Sequence, residues 1–326
     1  IGGEFTNPNS SGYLLSYESV AHELDWEMYY NSSDGDMVFV FDYSSPYYEY
    51  MIFINKSLSL IGEDKHTTII DGMGGDRNHI FSIHGDNIQI SGFTLRNCSK
   101  DGLDAGIYLH LTSQIHIYDN IFINTSIGIN SMASQNIIVN DNYITSGSAN
   151  NRTRFGIVSA FSTITIRNNT IENVRAFGIS VQSTRCLIEN NVILNGTQPN
   201  NQWGIACSSS ASTIRGNFIA NFTRGIALEA TDYSGIHIYG IFNNIHGNTI
   251  SNAIHYGLFI SKSLITSVME NNFINNVCDA YFIRAFFTRW DSNYWDDWGG
   301  DGPMIIEGYR RNNYDWHPAQ EPYEIG

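Results

Sequence analysis

Basic residues are scarce in this chain: 17 Lys and Arg stand against 32 Asp and Glu, for a formal net charge of −15. That balance repels phosphate backbones and anionic lipid headgroups, so nucleic acid is excluded as a partner class. Charged residues make up only 15% of the 326 positions, below the roughly 25% of a typical soluble domain. The polar surface must then be built from Asn, Ser, Thr and Gly, which is the composition of turn-rich β architecture rather than of helices. No run of 18 apolar residues occurs, so the sequence offers no membrane-spanning helix. The opening Ile1-Gly2-Gly3-Glu4-Phe5 has neither a basic n-region nor an apolar h-region, and reads as a mature form whose leader has been removed.

Apolar residues are plentiful at 42%, enough for a substantial core. Their arrangement is repetitive. Asn, any residue, a large apolar residue, any residue, then Asn or Ser recurs seven times, beginning at Asn120, Asn142, Asn169, Asn191, Asn217, Asn248 and Asn272. Successive starts lie 22, 27, 22, 26, 31 and 24 residues apart. A second marker, Gly before an apolar residue, runs in phase at Gly106, Gly128, Gly156, Gly178, Gly204, Gly225 and Gly257. Short alternating runs such as Ile115-His-Ile117 and Ile164-Thr-Ile166 lie between them, the period of strands with one buried face.

About 22 residues accommodate one turn of a parallel coil with three short strands, stacked on its neighbour at ~4.8 Å. The expected fold is therefore all-β: a single right-handed parallel β-helix over residues 37–289. Its interior holds stacked Ile and Val, and Asn side chains hydrogen-bond from coil to coil at the bends. The residues two before each repeat Asn form an outward column of Tyr118, Asn140, Arg167, Glu189, Arg215, His246 and Glu270. Within it Arg167, Glu189 and Arg215 predict a ladder of ion pairs.

Coil ends expose strand edges that need covering. Residues 1–36 form the N-terminal segment, in which Val20, Leu24 and Met28 predict a short capping helix over Ser19–Tyr30. Asp34-Gly35-Asp36 then turns the chain into a strand at Met37–Phe41. Residues 290–326 form an aromatic cap, with Trp290, Trp295, Trp298 and Trp316 interleaved with Asp291, Asp296, Asp297 and Asp301.

Chemistry-bearing residues are few. Asp119 and Asp141 share a register on adjacent coils and are the acid/base candidates of an enzyme; as bend residues they equally well replace Asn. Asp296, Asp297 and Asp301 form an acidic Gly-rich turn that would take Ca²⁺ as its cofactor. Trp295 and Trp298 offer a sugar-stacking platform. Nine Asn-x-Ser/Thr sequons occur, of which Asn9, Asn31, Asn55 and Asn151 lie off the repeat columns and are the glycosylation candidates. His110 with His116, or His237, His246 and His255, lack any metal-binding spacing. Cys98, Cys186, Cys207 and Cys278 replace core aliphatics, and their register predicts isolated thiols.

Three segments carry a resemblance. They are Ile54-Asn-Lys-Ser-Leu-Ser-Leu-Ile-Gly-Glu-Asp64 with Thr67-Thr-Ile-Ile-Asp-Gly72, Ile90-Ser-Gly-Phe-Thr-Leu-Arg-Asn97, and Asp291-Ser-Asn-Tyr-Trp-Asp-Asp-Trp298. Together they resemble archaeal and bacterial surface β-helix proteins with carbohydrate-binding/sugar-hydrolase (CASH) type repeats. These are relatives of the periplasmic copper-maturation accessory protein of nitrous-oxide reductase. The resemblance implies a secreted, cell-surface protein of an archaeon, while fold alone assigns no activity. The expected function is a non-catalytic, self-assembling structural protein of a cell envelope: a surface layer, sheath, fibre or coat subunit. Its partners are copies of itself, other envelope proteins or glycans. A polysaccharide lyase or hydrolase and a glycan-binding module are the alternatives.

Overall fold

The computed structural model describes residues 12–15, 24, 31–74, 79–98, 104–147, 153–183, 185–197, 203–222, 224–228, 232–233, 236–237 and 240–325. The expected capping helix lies largely outside the described residues; within it Leu24 is helical and buried, and its amide donates to Glu49 Oε1 at 2.9 Å. The chain divides into two compact units, Ile1–Ile164 and Thr165–Gly326. Both are parallel β-solenoids, as the repeat predicts.

Each coil carries three strands, one on each of three faces. In the first unit one coil runs Ser113–Tyr118 on face A, Ile121–Ile123 on face B and Ile127–Met132 on face C. The next coil repeats them as Gln135–Asn140, Tyr143–Thr145 and Phe155–Ala160, every strand parallel to its predecessor. The second unit repeats the plan, for example as Leu187–Glu189, Val192–Leu194 and Trp203–Cys207. Alternation places Ile115, Ile117, Ile129 and Ile157 inside at 0 or 1% exposure, whereas His116 and Tyr118 turn outward. One strand was not foreseen: Gly12–Leu15 pairs in parallel with Asp36–Val40, which follows the turn at Asp34–Gly35.

The bends explain the repeat. Asp119, Asp141, Asn168, Asn190, Gly216, Gly247, Glu270 and Ser292 each take a left-handed φ between 53° and 63° before face B, a conformation that Asn, Asp and Gly adopt at least cost. The residue after each is buried and laddered. Asn191 Nδ2 donates to Asn217 Oδ1, Asn217 Nδ2 to Asn248 Oδ1, Asn248 Nδ2 to Asn271 Oδ1 and Asn271 Nδ2 to Asn293 Oδ1, all at 2.9 Å. The last repeat is thus anchored by Asn271, not Asn272, and His246 faces Met269 rather than Glu270. The ladder ends on Asp315, whose Oδ2 accepts from Asn293 and from Trp295 Nε1.

The coil pattern also continues past residue 289. Arg289–Asp291 pairs with Ser267–Met269, Tyr294–Trp295 with Asn272–Phe273, and Tyr281 faces Glu307 on Met304–Gly308. Only Asn313–Asp315 reverses direction, pairing antiparallel with Met304–Gly308. Half of the predicted ion-pair ladder forms: Arg215 Nη2 lies 2.5 Å from Glu189 Oε2.

Candidate functional site

The acid pair of the enzyme reading is not poised for catalysis. Asp119 and Asp141 are exposed bend residues with φ of 53° and 57°. Lys65 Nζ holds Asp119 at 2.5 Å, and Asp141 Oδ2 accepts from Asn140 Nδ2. Each carboxylate is drawn to its own partner rather than to the other, and the bend geometry accounts for both.

The acidic turn assembles differently from expectation. Asp296 and Asp297 converge with Asp279, with ligand atoms within 4.8 Å of one another, and Asp301 lies outside this cluster. Asp279 is buried beneath two exposed carboxylates. Burial, and then the negative charges of Asp297 and Asp296, push its carboxyl up to about 7 against the Asn276 amide that donates to it at 2.9 Å. Asp296 Oδ2 meanwhile accepts from the Asn275 amide at 2.6 Å. The cluster can share a proton or hold a hard divalent cation.

Trp295 is not a sugar platform. It is 2% exposed, stacks on Phe273 at 4.4 Å and 11°, and donates its Nε1–H to Asp315. Trp298 is half-buried with its Nε1 enclosed, and Trp316 is the open ring, at 64%. Of the sequon candidates Asn31 and Asn55 are exposed, whereas Asn9 and Asn151 lie outside the described residues.

Three features escaped sequence reasoning. The first is a strip of rings on face C of the second unit. Phe177 stacks on Trp203 (6.2 Å), Trp203 meets Phe259 edge-on (6.5 Å), and Tyr256, Phe259 and Tyr281 form a mutually packed trio at 5.3–6.1 Å. Phe177, Tyr256, Phe259 and Tyr281 are half-exposed beside the small Ser180 and Ala206. A signal was present, since Phe177, Trp203 and Tyr256 each directly precede the Gly of the second marker.

The second feature is an apolar ridge at the bend between face C and the next face A. In the first unit this bend holds Leu111, Ala133 and Phe161; in the second it includes Phe242, Ile265 and Phe287. All six have φ between 52° and 58°. Leu111, Phe161, Phe242 and Phe287 are 67%, 73%, 59% and 80% exposed. These positions combine left-handed backbone strain with apolar side chains in water, and β-branched Ile265 is the least suited of all.

The third feature is a cysteine pair. Cys186 and Cys207 are not isolated: their sulfurs lie 3.7 Å apart in the core of the second unit. Register analysis compares positions within one column, and these two stand on different faces of one coil.

Among solved structures, the chain resembles an alginate lyase from Paenibacillus sp., with TM-score 0.61, 12% identity, and 93% of this chain and 98% of that one covered. It also resembles the periplasmic alginate epimerase AlgG, with TM-score 0.57, 13% identity, and coverage of 94% and 84%. A third is PfbA, a surface adhesin of Streptococcus pneumoniae, with TM-score 0.51, 12% identity, and coverage of 88% and 92%. At such identities these likenesses establish the fold alone. No curated protein matches the chain in sequence. The family model described as "periplasmic copper-binding protein (NosD)" matches residues 30–197 and 146–309. Those matches span most of the chain, which therefore belongs to the NosD family of parallel β-helix proteins.

Proposed function

We propose that the protein is a non-catalytic component of the cell envelope, outside the cytoplasm, and that it associates with copies of itself along its apolar ridge. The observation that carries this reading is the chemistry of the bends. Before face B the left-handed positions are filled by Asp, Asn, Gly, Glu and Ser; at the ridge the same backbone conformation is filled by Leu, Ala, Phe and Ile. Strain and exposure together are a cost that an apolar partner offsets. A second solenoid is well matched to that role, because its ridge repeats at the same ~4.8 Å coil spacing and can interdigitate. The family's periplasmic description and the ties of Asp119 to Lys65 and of Asp141 to Asn140 favour the same reading.

The test is sedimentation velocity over a concentration series. Wild-type protein is expected to form dimers or larger species, and Phe242→Ser with Phe287→Ser to weaken association roughly tenfold or more. Equal behaviour of the two proteins removes the ridge from the account.

A second reading, neutral-glycan binding, is favoured by the ring strip. Half-exposed Tyr256, Phe259 and Tyr281 offer flat apolar faces of the kind sugars stack on, and the net charge of −15 disfavours polyuronates. Titration with a neutral polysaccharide is expected to give saturable binding that Tyr281→Ala lowers by about tenfold. No binding to any neutral polymer ends that reading.

Copper, named in the family's description, does not fit the donors present. The group of three or more His, Cys, Asp and Glu side chains that converges among the described residues is the carboxylate set Asp279, Asp296 and Asp297, which is hard-ligand chemistry. The ring nitrogens His84 Nε2, His116 Nε2 and His79 Nδ1 are hydrogen-bonded to Ser82, Asn140 and the Ala105 amide.

A further inference from the structure

Of the four cysteines, two lie alone and two lie together. Cys98 and Cys278 contact backbone oxygens, and burial pushes their thiols up to about 12 and about 11. Both are therefore protonated and unreactive near neutrality. Cys186 and Cys207 are 3% and 1% exposed with sulfurs 3.7 Å apart. Ser209 Oγ lies 3.6 Å from the first sulfur and 3.1 Å from the second, so the two thiols share one polar pocket within an apolar core.

The pair joins two faces of one coil. Cys186 stands just before face-A strand Leu187–Glu189, and Cys207 ends face-C strand Trp203–Cys207. Neighbouring coils hold both backbones in place, because the Cys186 amide donates to Ser212 Oγ at 3.0 Å and Cys207 is in register with Val181 and Leu228. Each sulfur needs to move by less than about 1 Å to reach the ~2.05 Å of a disulfide bond.

We infer that Cys186 and Cys207 are a modification site: they are oxidised to an intramolecular disulfide that staples the coil when the chain folds in an oxidising compartment. The oxidant is a disulfide, either a small-molecule one or that of a thiol–disulfide oxidoreductase. Cys186 is the entering nucleophile, because a hydrogen bond from Cys207 lowers its thiol pKa while that of Cys207 is raised. Its thiolate attacks one sulfur of the oxidant, and the other sulfur leaves as a thiolate. Cys207, once deprotonated, then attacks Cys186 Sγ in the mixed disulfide and expels the second thiolate. The two thiol protons end on the two released thiolates, so the protein loses two electrons and the oxidant gains them. Because both sulfurs are buried in the finished fold, the exchange belongs to the stage at which this coil closes.

The experiment refolds the full chain in a buffer of reduced and oxidised glutathione, then alkylates it in denaturant without reductant. Trypsin cleavage after Arg185 and Arg215 releases Cys186 and Cys207 in one peptide. The expected mass is about 2 Da below that of the dithiol, with no alkyl group added, while Cys98 and Cys278 carry one alkyl group each. The oxidised protein should also melt ~5 °C or more above its reduced form, a shift lost in Cys207→Ser. A peptide with two alkyl groups, or with glutathione on either cysteine, overturns the proposal. That mass readout uses the natural chain and holds even if Cys207→Ser fails to fold.

Discussion

Asp279 is the residue whose environment departs furthest from what its sequence position suggests. It follows Cys278 in an unremarked stretch, yet coil stacking buries it beneath Asp296 and Asp297 and pushes its carboxyl from 3.8 to about 7. The sign of the pH effect follows. In the unfolded chain this carboxyl loses its proton near pH 4, whereas in the fold it keeps the proton until about 7. Its contribution to stability is therefore complete below pH 4 and is lost as pH rises through 7. Asp279→Asn keeps an acceptor for the Asn276 amide and removes the buried charge. It is expected to stabilise the protein by ~1–3 kcal/mol at pH 8 and by little at pH 4, measured by urea unfolding at both values. We propose Ca²⁺ as the cation for this cluster, so millimolar Ca²⁺ should raise the wild-type midpoint at pH 8 and leave Asp279→Asn unmoved. An equal response in both would place the ion elsewhere.

At the scale of the element, the buried Asn ladder is what makes the coil legible in sequence. Asn217 shows why the residue must be Asn. Its Nδ2 donates to the carbonyls of Ile188 and Arg215 and to Asn248 Oδ1, while its Oδ1 accepts from the Asn191 amide and side chain. Asn217→Ala strands all of these in a dry corner and should cost ~2–4 kcal/mol in urea unfolding; a cost under about 1 kcal/mol would mean that water replaces the side chain. Periodicity found this ladder because one residue type solves one geometric problem at every coil. It slipped by one position where Asn271 and Asn272 stand side by side, and the coil-to-coil bond to Asn293 decides between them. It also stopped too early. Asn293-Tyr-Trp295 carries the same Asn-x-large pattern, but the Trp and Asp around it look like a cap, and Trp295 is in fact a core residue laid on Phe273. Contacts that cross from one face to another, such as Cys186 with Cys207 or Asp279 with Asp296, leave no periodic trace. They depend on how strands of different faces meet at a corner, which column alignment does not encode.

For the whole molecule, few charges and abundant Asn, Ser and Thr are consistent with a solenoid whose long-range organisation comes from stacking rather than from surface ion pairs. Such stacking presents each bend chemistry as a column, so a property that is minor at one residue becomes a linear feature of a unit. The apolar ridge is the feature of this kind that the fold itself does not need, and self-association is what gives it a partner. Electron microscopy of the native protein across a concentration series tests this claim most directly. The account predicts ordered assemblies in which solenoids lie ridge against ridge, and their loss in the Phe242→Ser, Phe287→Ser variant. Dispersed single particles at every concentration, or assemblies joined through another face and indifferent to the two substitutions, would contradict it.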